Sequence, residues 1–351
     1  MVIAGVMSGS SLDGLDIAIV QFKEDMDWTL LWVDQMEYSN DWVERLRNYD
    51  GLSATEYIKF KSDYSYYVGA CLKSSLDKFD GKVDYVSFHG HTLLHLPEDG
   101  VTEQIGNGGI IAGLLDVPTL TDFRVQDVAR GGVGAPIAPI AEINLYSGHD
   151  YYLNLGGIAN LTRNLPGEPI AAFDVCPCNQ VLNYFSNTLG LAYDDEGRLA
   201  KSGSLLPDLE KWLDTVSYFT EPPPKTLDNN WIVHQFIPQF PKDQSAEDVL
   251  HTYTHWMSQC ITREVNATDR PSSLIVTGGG AHNTYFMECL RRDLASKNCN
   301  LVIPSKETID NKEAILMALM AHLYLKDEVN ILKDVTGANR DSIGGGLFKV
   351  Y

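Results

Sequence analysis

The chain opens on "VIAGVMSGSSLDGLDIAIVQF" (residues 2–22), an apolar strand, a Gly/Ser turn and a second strand rich in β-branched residues. A short turn between two such strands lets several backbone N–H groups converge, which is the geometry of an anion-binding nest. The same order recurs near the middle of the chain. "YYLNLGG" (151–157) is a strand running into a glycine turn, and "IANLTRN" (158–164) and "IAAFDV" (170–175) are the strands that follow. Two copies of one layout, each opening a half of the molecule, predict an internally duplicated α/β architecture.

The intervening segments fit that plan. A stretch of aromatic and charged residues at 54–80 reads as a helix, and "VDYVSFHGH" (83–91) as a buried strand ending in a histidine-bearing loop. Residues 106–115 make a small-residue helix, and "VPTLTDF" (117–123) another strand. "ARGGVGAPIAP" (129–139) holds too much glycine and proline for a regular element and marks a domain seam. Residues 245–265 form an amphipathic helix opened by a serine N-cap. "SSLIVTGGGAHNTYFMECLRRDLA" (272–295) is a strand, a glycine turn and a helix, and "NKEAILMALMAHLYLKD" (311–327) is a core helix. The expected domains are 1–128, completed by 330–351, and 129–329.

Composition narrows the function. The 351 residues are 44% apolar and 21% charged, a globular mixture with room for two domains. Against 27 basic side chains stand 47 acidic ones, a formal charge of −20. Such a surface repels nucleic acid and anionic membranes, so any anionic ligand must meet local donors. No cationic segment precedes the first apolar run, no apolar run reaches membrane-spanning length, and "GGGLFKVY" fits no lipidation signal. A cytoplasmic protein with free thiols at Cys71, Cys176, Cys178, Cys260, Cys289 and Cys299 is expected.

Three glycine turns follow apolar strands: "GVMSGSSLDG", "NLGGIAN" and "VTGGGAHN". With no P-loop and no dinucleotide fingerprint, three such turns in two duplicated halves point to a nucleotide held between two domains. His89, His91 and His95 have metal-like spacing, but no acidic partner is near in sequence, and hydrogen-bonded histidines at a strand end are the plainer reading. His251 and His255 lack the glutamate of a zinc helix and read as structural. The carboxylates are more telling. Asp13 and Asp16 follow the first turn, Asp122 and Asp127 flank Arg124, and Asp174 ends a strand within "AAFDVCPCNQ" (171–180). Asp174 reads either as a general base mounted on a rigid strand or as a cap for the segment after it.

Taken together, these motifs resemble the anhydro-N-acetylmuramic acid kinases, members of the sugar kinase/Hsp70/actin-like superfamily. "GVMSGSSLDGLD" (5–16) resembles the family's first phosphate motif, "SFHGHT" (87–92) its Ser-His-Gly-Gln-Thr, and "EQIGN" with "TDFRVQDVARGGVGAPIAP" its central signature. "NLGGIAN" is similar to the second phosphate motif and "TGGGAHN" (277–283) to the adenosine motif. The resemblance implies two duplicated actin-like/RNase H-like ATPase domains, each a mixed β-sheet flanked by helices, with a cleft between them.

It also implies a reaction: ATP-dependent hydrolytic opening of 1,6-anhydro-N-acetylmuramic acid and phosphorylation of O6, in cell-wall recycling. Asp174 would be the base for the attacking water. ATP would be bound by Gly9, Ser10, Ser11, Leu12, Asp13, Gly14 and Asp16, by Asn154, Gly156, Gly157 and Asn160, and by Gly278, Gly279, Gly280 and Asn283. Mg²⁺ would arrive with the ATP and meet Asp13. The sugar would lie against His89, Asp122, Arg124, Asp127 and Glu313, with Arg124 suited to its lactyl carboxylate. A homodimer is implied, with no nucleic acid or membrane partner. Departures from the motifs are Val133 and His91 in place of glutamines, Val175, and Cys176 and Cys178 where small residues are usual. They leave open a kinase of the same fold acting on another amino or anhydro sugar, or a catalytically weak ATP-binding relative.

Overall fold

The computed structural model describes every residue except Ser10, Ser11, Asp25 and Thr268. The chain forms two compact units, Met1–Ser147 with Asn311–Tyr351, and Gly148–Asp310. The first contains β1 (Val2–Ser8), β2 (Gly14–Phe22), β3 (Trp28–Glu37), β4 (Tyr85–Leu96), β5 (Val101–Ile105) and β6 (Thr119–Thr121). The second contains β7 (Tyr151–Leu155), β8 (Ile158–Arg163), β9 (Ala171–Pro177), β10 (Ser272–Thr277) and β11 (Cys299–Val302); β12 (Gly346–Phe348) returns to the first sheet.

The duplication is visible in the pairing. In the second sheet the order is β9-β8-β7-β10-β11, with the first three strands antiparallel and the last two joined in parallel. The first sheet runs β3-β2-β1-β4-β6 with the same directions. It reaches seven strands because β5 adds to β4 and β12 adds to β6. This is the duplicated mixed-sheet architecture expected from the two hairpins.

Period-2 alternation distributes the first sheet between two cores. From β1 and β2, Ile3, Ala18 and Val20 pack with the helices Ala138–Leu145 and Lys312–Leu325. Ala4, Val6, Leu15, Ile17 and Ile19 turn the other way, to the helix Ala54–Leu76. That helix begins with a capping box between Ser53 and Glu56. In Lys312–Leu325 every residue from Ala314 to Leu323 is buried, as its nearly all-apolar sequence demands. Gly5 lets it lie directly on β1: a Cβ there would run into the Ala314 carbonyl and the Ala318 nitrogen.

Two expectations change. The seam placed at 128/129 lies inside the first unit, because the helix Ala138–Leu145 shares a core with Lys312–Leu325 and the change of unit comes after Ser147. The histidines at 89 and 91 are not in a loop: β4 continues through them to Leu96, held by antiparallel pairing with β5, with Gly90 left-handed at φ 85°. His91 closes a buried chain in which its Nδ1 meets the Ser8 hydroxyl (2.9 Å), Ser8 meets the Tyr38 hydroxyl (2.6 Å) and Tyr38 meets Tyr64 (2.6 Å). Burial lowers the His91 pKa to about 4 and pushes Tyr38 up to about 12.

Gly5→Ala is expected to destabilise the protein by ~3 kcal/mol or more, since rigid backbone on both sides cannot relax. Gly51→Ala, with nothing within 4 Å, should stay within about 0.5 kcal/mol of wild type. Urea unfolding midpoints of the two variants check this. His91 gives a pH signature. Unfolded, it titrates near 6.5; folded, it stays neutral to about pH 4, so the unfolded state binds the extra proton between these values. Its contribution is complete above pH 6.5 and falls by ~3 kcal/mol as the pH drops to about 4. His91→Gln should flatten stability against pH in that window, and an unchanged slope would contradict the burial argument.

Candidate functional site

In the second unit, register brings three polar side chains into a row. Asn154 on β7 pairs with Asn160 on β8, and Asn160 with Asp174 on β9, so all three share one face of the sheet. A bulge between Ala159 and Asn160 sets that alignment. The Asn154 amide donates to Asn160 Oδ1 (3.4 Å), and the Asn160 amide donates to Asp174 Oδ1. Asp174 Oδ2 accepts from the Thr226 hydroxyl (3.0 Å) and the Leu227 N–H (2.8 Å). Its main chain is held as well, N–H to the Lys225 carbonyl (3.1 Å) and carbonyl from the Tyr218 hydroxyl (2.8 Å). The carboxylate therefore does not cap the following segment. The helix Asn179–Thr188 begins at Cys178 with no side-chain cap.

That segment is docked on the second glycine turn instead. The Gly157 carbonyl accepts from the N–H groups of Cys178 (2.8 Å) and Gln180 (3.2 Å), the Gly156 carbonyl accepts from Asn179 N–H (3.1 Å), and the Asn179 amide donates to the Leu155 carbonyl (3.2 Å). The third turn packs against the same place. Gly278, left-handed at φ 86°, would put a Cβ 2.7 Å from both Asn154 Oδ1 and the Leu155 carbonyl oxygen, and Gly280 one 2.7 Å from Leu155 Cβ. Beyond them opens a cavity of about 900 Å³, lined among others by Asn179, Tyr193, Gly279, Gly280, Glu288 and Arg291. Asn283 borders it, but its side-chain oxygen caps the helix Thr284–Ala295 through Phe286 N–H (2.9 Å).

In the first unit, Ser10 and Ser11 lie outside the described residues, while Gly9, Leu12, Asp13 and Gly14 complete the turn between β1 and β2. Leu12 is left-handed at φ 59°, its N–H donating to the Gly9 carbonyl (3.4 Å). Asp16, two residues into β2, accepts from the Gln35 amide (3.1 Å). Burial and the charges of Asp13 and Glu313 raise its pKa to about 6. Glu313, in the first turn of Lys312–Leu325, thus acts on Asp16 beside the first glycine turn and also on Arg124. Among the described residues no three carboxylate, imidazole or thiol groups converge on a metal position.

His89 is buried with both ring nitrogens used. Its Nδ1–H donates to the Gly90 carbonyl (2.9 Å), and its Nε2 accepts from Arg124 Nε (3.0 Å). A carbonyl can only accept and an arginine can only donate, so the ring is the neutral Nδ1–H tautomer. Burial and the Arg124 charge lower its pKa to about 3, so it keeps that state at any working pH. Among the described residues the terminal nitrogens of Arg124 make no hydrogen bond, which leaves its fork open. Asp122 is exposed and left-handed at φ 64°, accepting from the Thr121 hydroxyl (2.7 Å).

Asp127 departs from its expected role. It is fully buried, with Oδ1 accepting from the Thr336 hydroxyl (2.8 Å) and Oδ2 from Gly134 N–H (2.8 Å), so it fastens a loop and offers nothing to a ligand. Sequence reading also missed Tyr218, Thr226 and Leu227, which hold Asp174 from 44 to 53 residues away. The proline-rich "EPPPKT" (221–226), which ends in Thr226, is the only signal of them in the sequence. All six cysteines are free and buried. Among the described residues no helix is long and apolar enough to cross a membrane.

A family model, described as anhydro-N-acetylmuramic acid kinase, matches residues 1–350. Curated proteins of that name from Sulfurimonas denitrificans and Nitrosomonas europaea are 31% and 30% identical to this chain, covering 98% and 99% of it and the same shares of themselves. Among solved structures, a ligand-bound xylulose kinase from Lactobacillus acidophilus aligns at 10% identity over 100% of this chain and 94% of its own, with a TM-score of 0.46. On the full-length match, joined to the glycine turns and the aspartate-bearing strand described above, the chain belongs to the anhydro-N-acetylmuramic acid kinase family.

Proposed function

We propose that the protein is an ATP-dependent kinase that opens 1,6-anhydro-N-acetylmuramic acid with water and phosphorylates O6, giving N-acetylmuramic acid 6-phosphate and ADP. The supporting observation is the setting of Asp174. A carboxylate offers about four lone-pair positions, and here three are taken: Asn160 on Oδ1, Thr226 and Leu227 on Oδ2. One position on Oδ1 remains for a proton. Three donors fix the direction of the group, as a base for water requires.

The bonds change in a balanced order. Water attacks C1 and gives its proton to Asp174, the C1–O6 bond breaks, and O6 takes the γ-phosphoryl group as ADP departs. Phosphoryl transfer asks for positioning and charge stabilisation. The first and second glycine turns would receive the phosphates, and the cavity beyond Gly279 and Gly280 suits the nucleoside. Mg²⁺ carried by ATP would lie against Asp13, near Asp16, and its charge would answer the crowding that raises Asp16. Arg124, steadied by neutral His89, takes the lactyl carboxylate of the sugar. Resemblance to the family supports a homodimer working in the cytoplasm.

The reaction should be run in ¹⁸O-labelled water and read early by mass spectrometry. Wild type should yield sugar phosphate with one heavy oxygen at C1, and Asp174→Asn should lose ~10²–10⁴-fold in kcat with KM for ATP unchanged. An Asp174→Asn enzyme of ordinary rate would reject the assignment. Arg124→Lys should lower kcat/KM for the sugar by ~10–100-fold, because an ammonium cannot reproduce the fork. His89→Ala should raise the sugar KM by about tenfold and leave the ATP KM alone. Initial-rate kinetics in both substrates decide these.

A further inference from the structure

Asp174 lies on an edge strand. β9 pairs with β8 alone, and at Asp174 its N–H and C=O turn outward, where they meet the Lys225 carbonyl (3.1 Å) and the Tyr218 hydroxyl (2.8 Å). An edge strand needs such partners, and here the irregular segment 218–227 supplies them. The same segment gives Asp174 Oδ2 both its donors, Thr226 and Leu227. Apart from the Asn160 amide, everything that holds this aspartate comes from a stretch of chain that belongs to no strand.

The segment has few anchors of its own. Phe219 and Leu227 enter the second unit's core, while Thr220, Glu221, Pro222, Pro224 and Thr226 between them are exposed. Lys225 is the exception: its side chain is only 4% exposed, with Nζ 3.2 Å from Glu264 Oε1. The other oxygen of Glu264 pairs with Arg163, the last residue of β8. Arg163 Cζ stands 4.8 Å and Lys225 Nζ 5.9 Å from the centre of the Phe173 ring, the neighbour of Asp174, and Lys225 Nζ lies 5.3 Å from that of Tyr218. A lysine stem normally carries its charge out to water, and a buried ammonium is kept only with a partner. Glu264 is that partner, and it closes the helix Ala246–Arg263, whose inner face from Val249 to Ile261 lies in the same core.

We propose that Glu264 is a positioning residue for Asp174: through Lys225 it fixes the segment 218–227, and the segment aims the carboxylate. The proposal rests on the function given above, in which Asp174 takes the proton of water. Glu264 is bonded to Lys225 and Arg163 and acts through them alone. Drawing the Lys225 side chain inward sets the place of its carbonyl, and of Thr226 and Leu227 directly after it, so one ion pair governs three of the bonds on Asp174.

Two variants of the full chain test this. Glu264→Gln keeps the shape and removes the charge. Lys225→Met keeps the stem and leaves Glu264 with Arg163, so no charge is stranded and the fold is retained. Hydrogen exchange at the Asp174 and Leu227 amides, followed by mass spectrometry of the peptides that hold them, reports the segment; initial rates report the reaction. In both variants exchange at these amides should quicken by about 10–100-fold, the worth of one charge-assisted hydrogen bond, while the amides of β7 and β10 keep their protection. In both, kcat should fall by about tenfold or more with KM for sugar and for ATP unchanged. Faster exchange with an ordinary kcat would overturn the proposal, because the segment would then be held without aiming the base. Unchanged exchange would overturn it too, as would exchange raised equally across the unit, the mark of a purely structural pair. A wild-type enzyme that makes no sugar phosphate would overturn the function, and the proposal with it, whatever the exchange shows.

Discussion

Two backbone N–H groups, of Cys178 and Gln180, converge on the carbonyl of Gly157, and the second unit's chemistry hangs on that knot. It ties the end of the aspartate-bearing strand to the glycine turn that precedes it by twenty residues. Because Gly157 carries no Cβ, the turn can be approached so closely; Gln180 Cγ would already lie 3.1 Å from a Cβ there. The consequence is mechanical. Asp174 and the turn cannot shift independently, so the proposed base and the proposed phosphate turn form one rigid piece. The third turn, with Gly278 and Gly280 bare against Asn154 and Leu155, extends the same piece toward the large cavity.

The proposed function sets the first unit a different problem, recognising an anion in a chain of net charge −20. It uses one guanidinium and steadies it without a second charge. A carboxylate beside Arg124 Nε would satisfy the arginine but partly cancel the field that a ligand carboxylate needs. Neutral His89 fixes the orientation and leaves the charge whole. Asp127 sits only three residues on, yet both its oxygens are spent on Thr336 and Gly134, so its charge is answered by donors away from the fork. Asp16 and Glu313 repel each other near the phosphate turn, and a divalent cation there would remove the repulsion.

Much of this could be read beforehand, for reasons that particular residues make clear. The apolar runs "VIAGV" and "YYLNL" and the glycines after them are local signals, and the duplicated hairpins followed from them. Asp174 was legible as a strand-borne aspartate, although β9 continues past it to Pro177 and does not end there as expected. What held it was not, since Tyr218, Thr226 and Leu227 come from a distant irregular loop whose only mark was its prolines. Three histidines in one short stretch invited a common explanation, yet each has its own: His89 orients Arg124, His91 joins a buried hydroxyl chain, and His95 leans on Thr102. Strand alternation sends neighbours to opposite sides, and spacing alone cannot say which side meets a ligand. The seam was misplaced because glycine and proline announce a loop; only the shared core of Ala138–Leu145 with Lys312–Leu325 reveals that the loop lies within a unit.

The cysteines beside the base show how a departure from pattern can be chemically silent. Cys178 has φ −121°, so nothing at this position demands the left-handed freedom of glycine. Cys176 and Cys178 are both fully buried, packed in one core with Tyr253 and Cys260. Burial drives the Cys176 thiol well upward, reinforced by Cys260, and lifts Cys178 to about 12. A thiol that stays protonated is a poor nucleophile and a poor metal ligand. Here it is simply a small apolar side chain with a sulfur atom. The extra volume is taken up on the core side of β9, while Asp174 keeps the opposite face with Asn160. Bulk added under a strand changes the packing on that side and leaves the other face of the strand as it was.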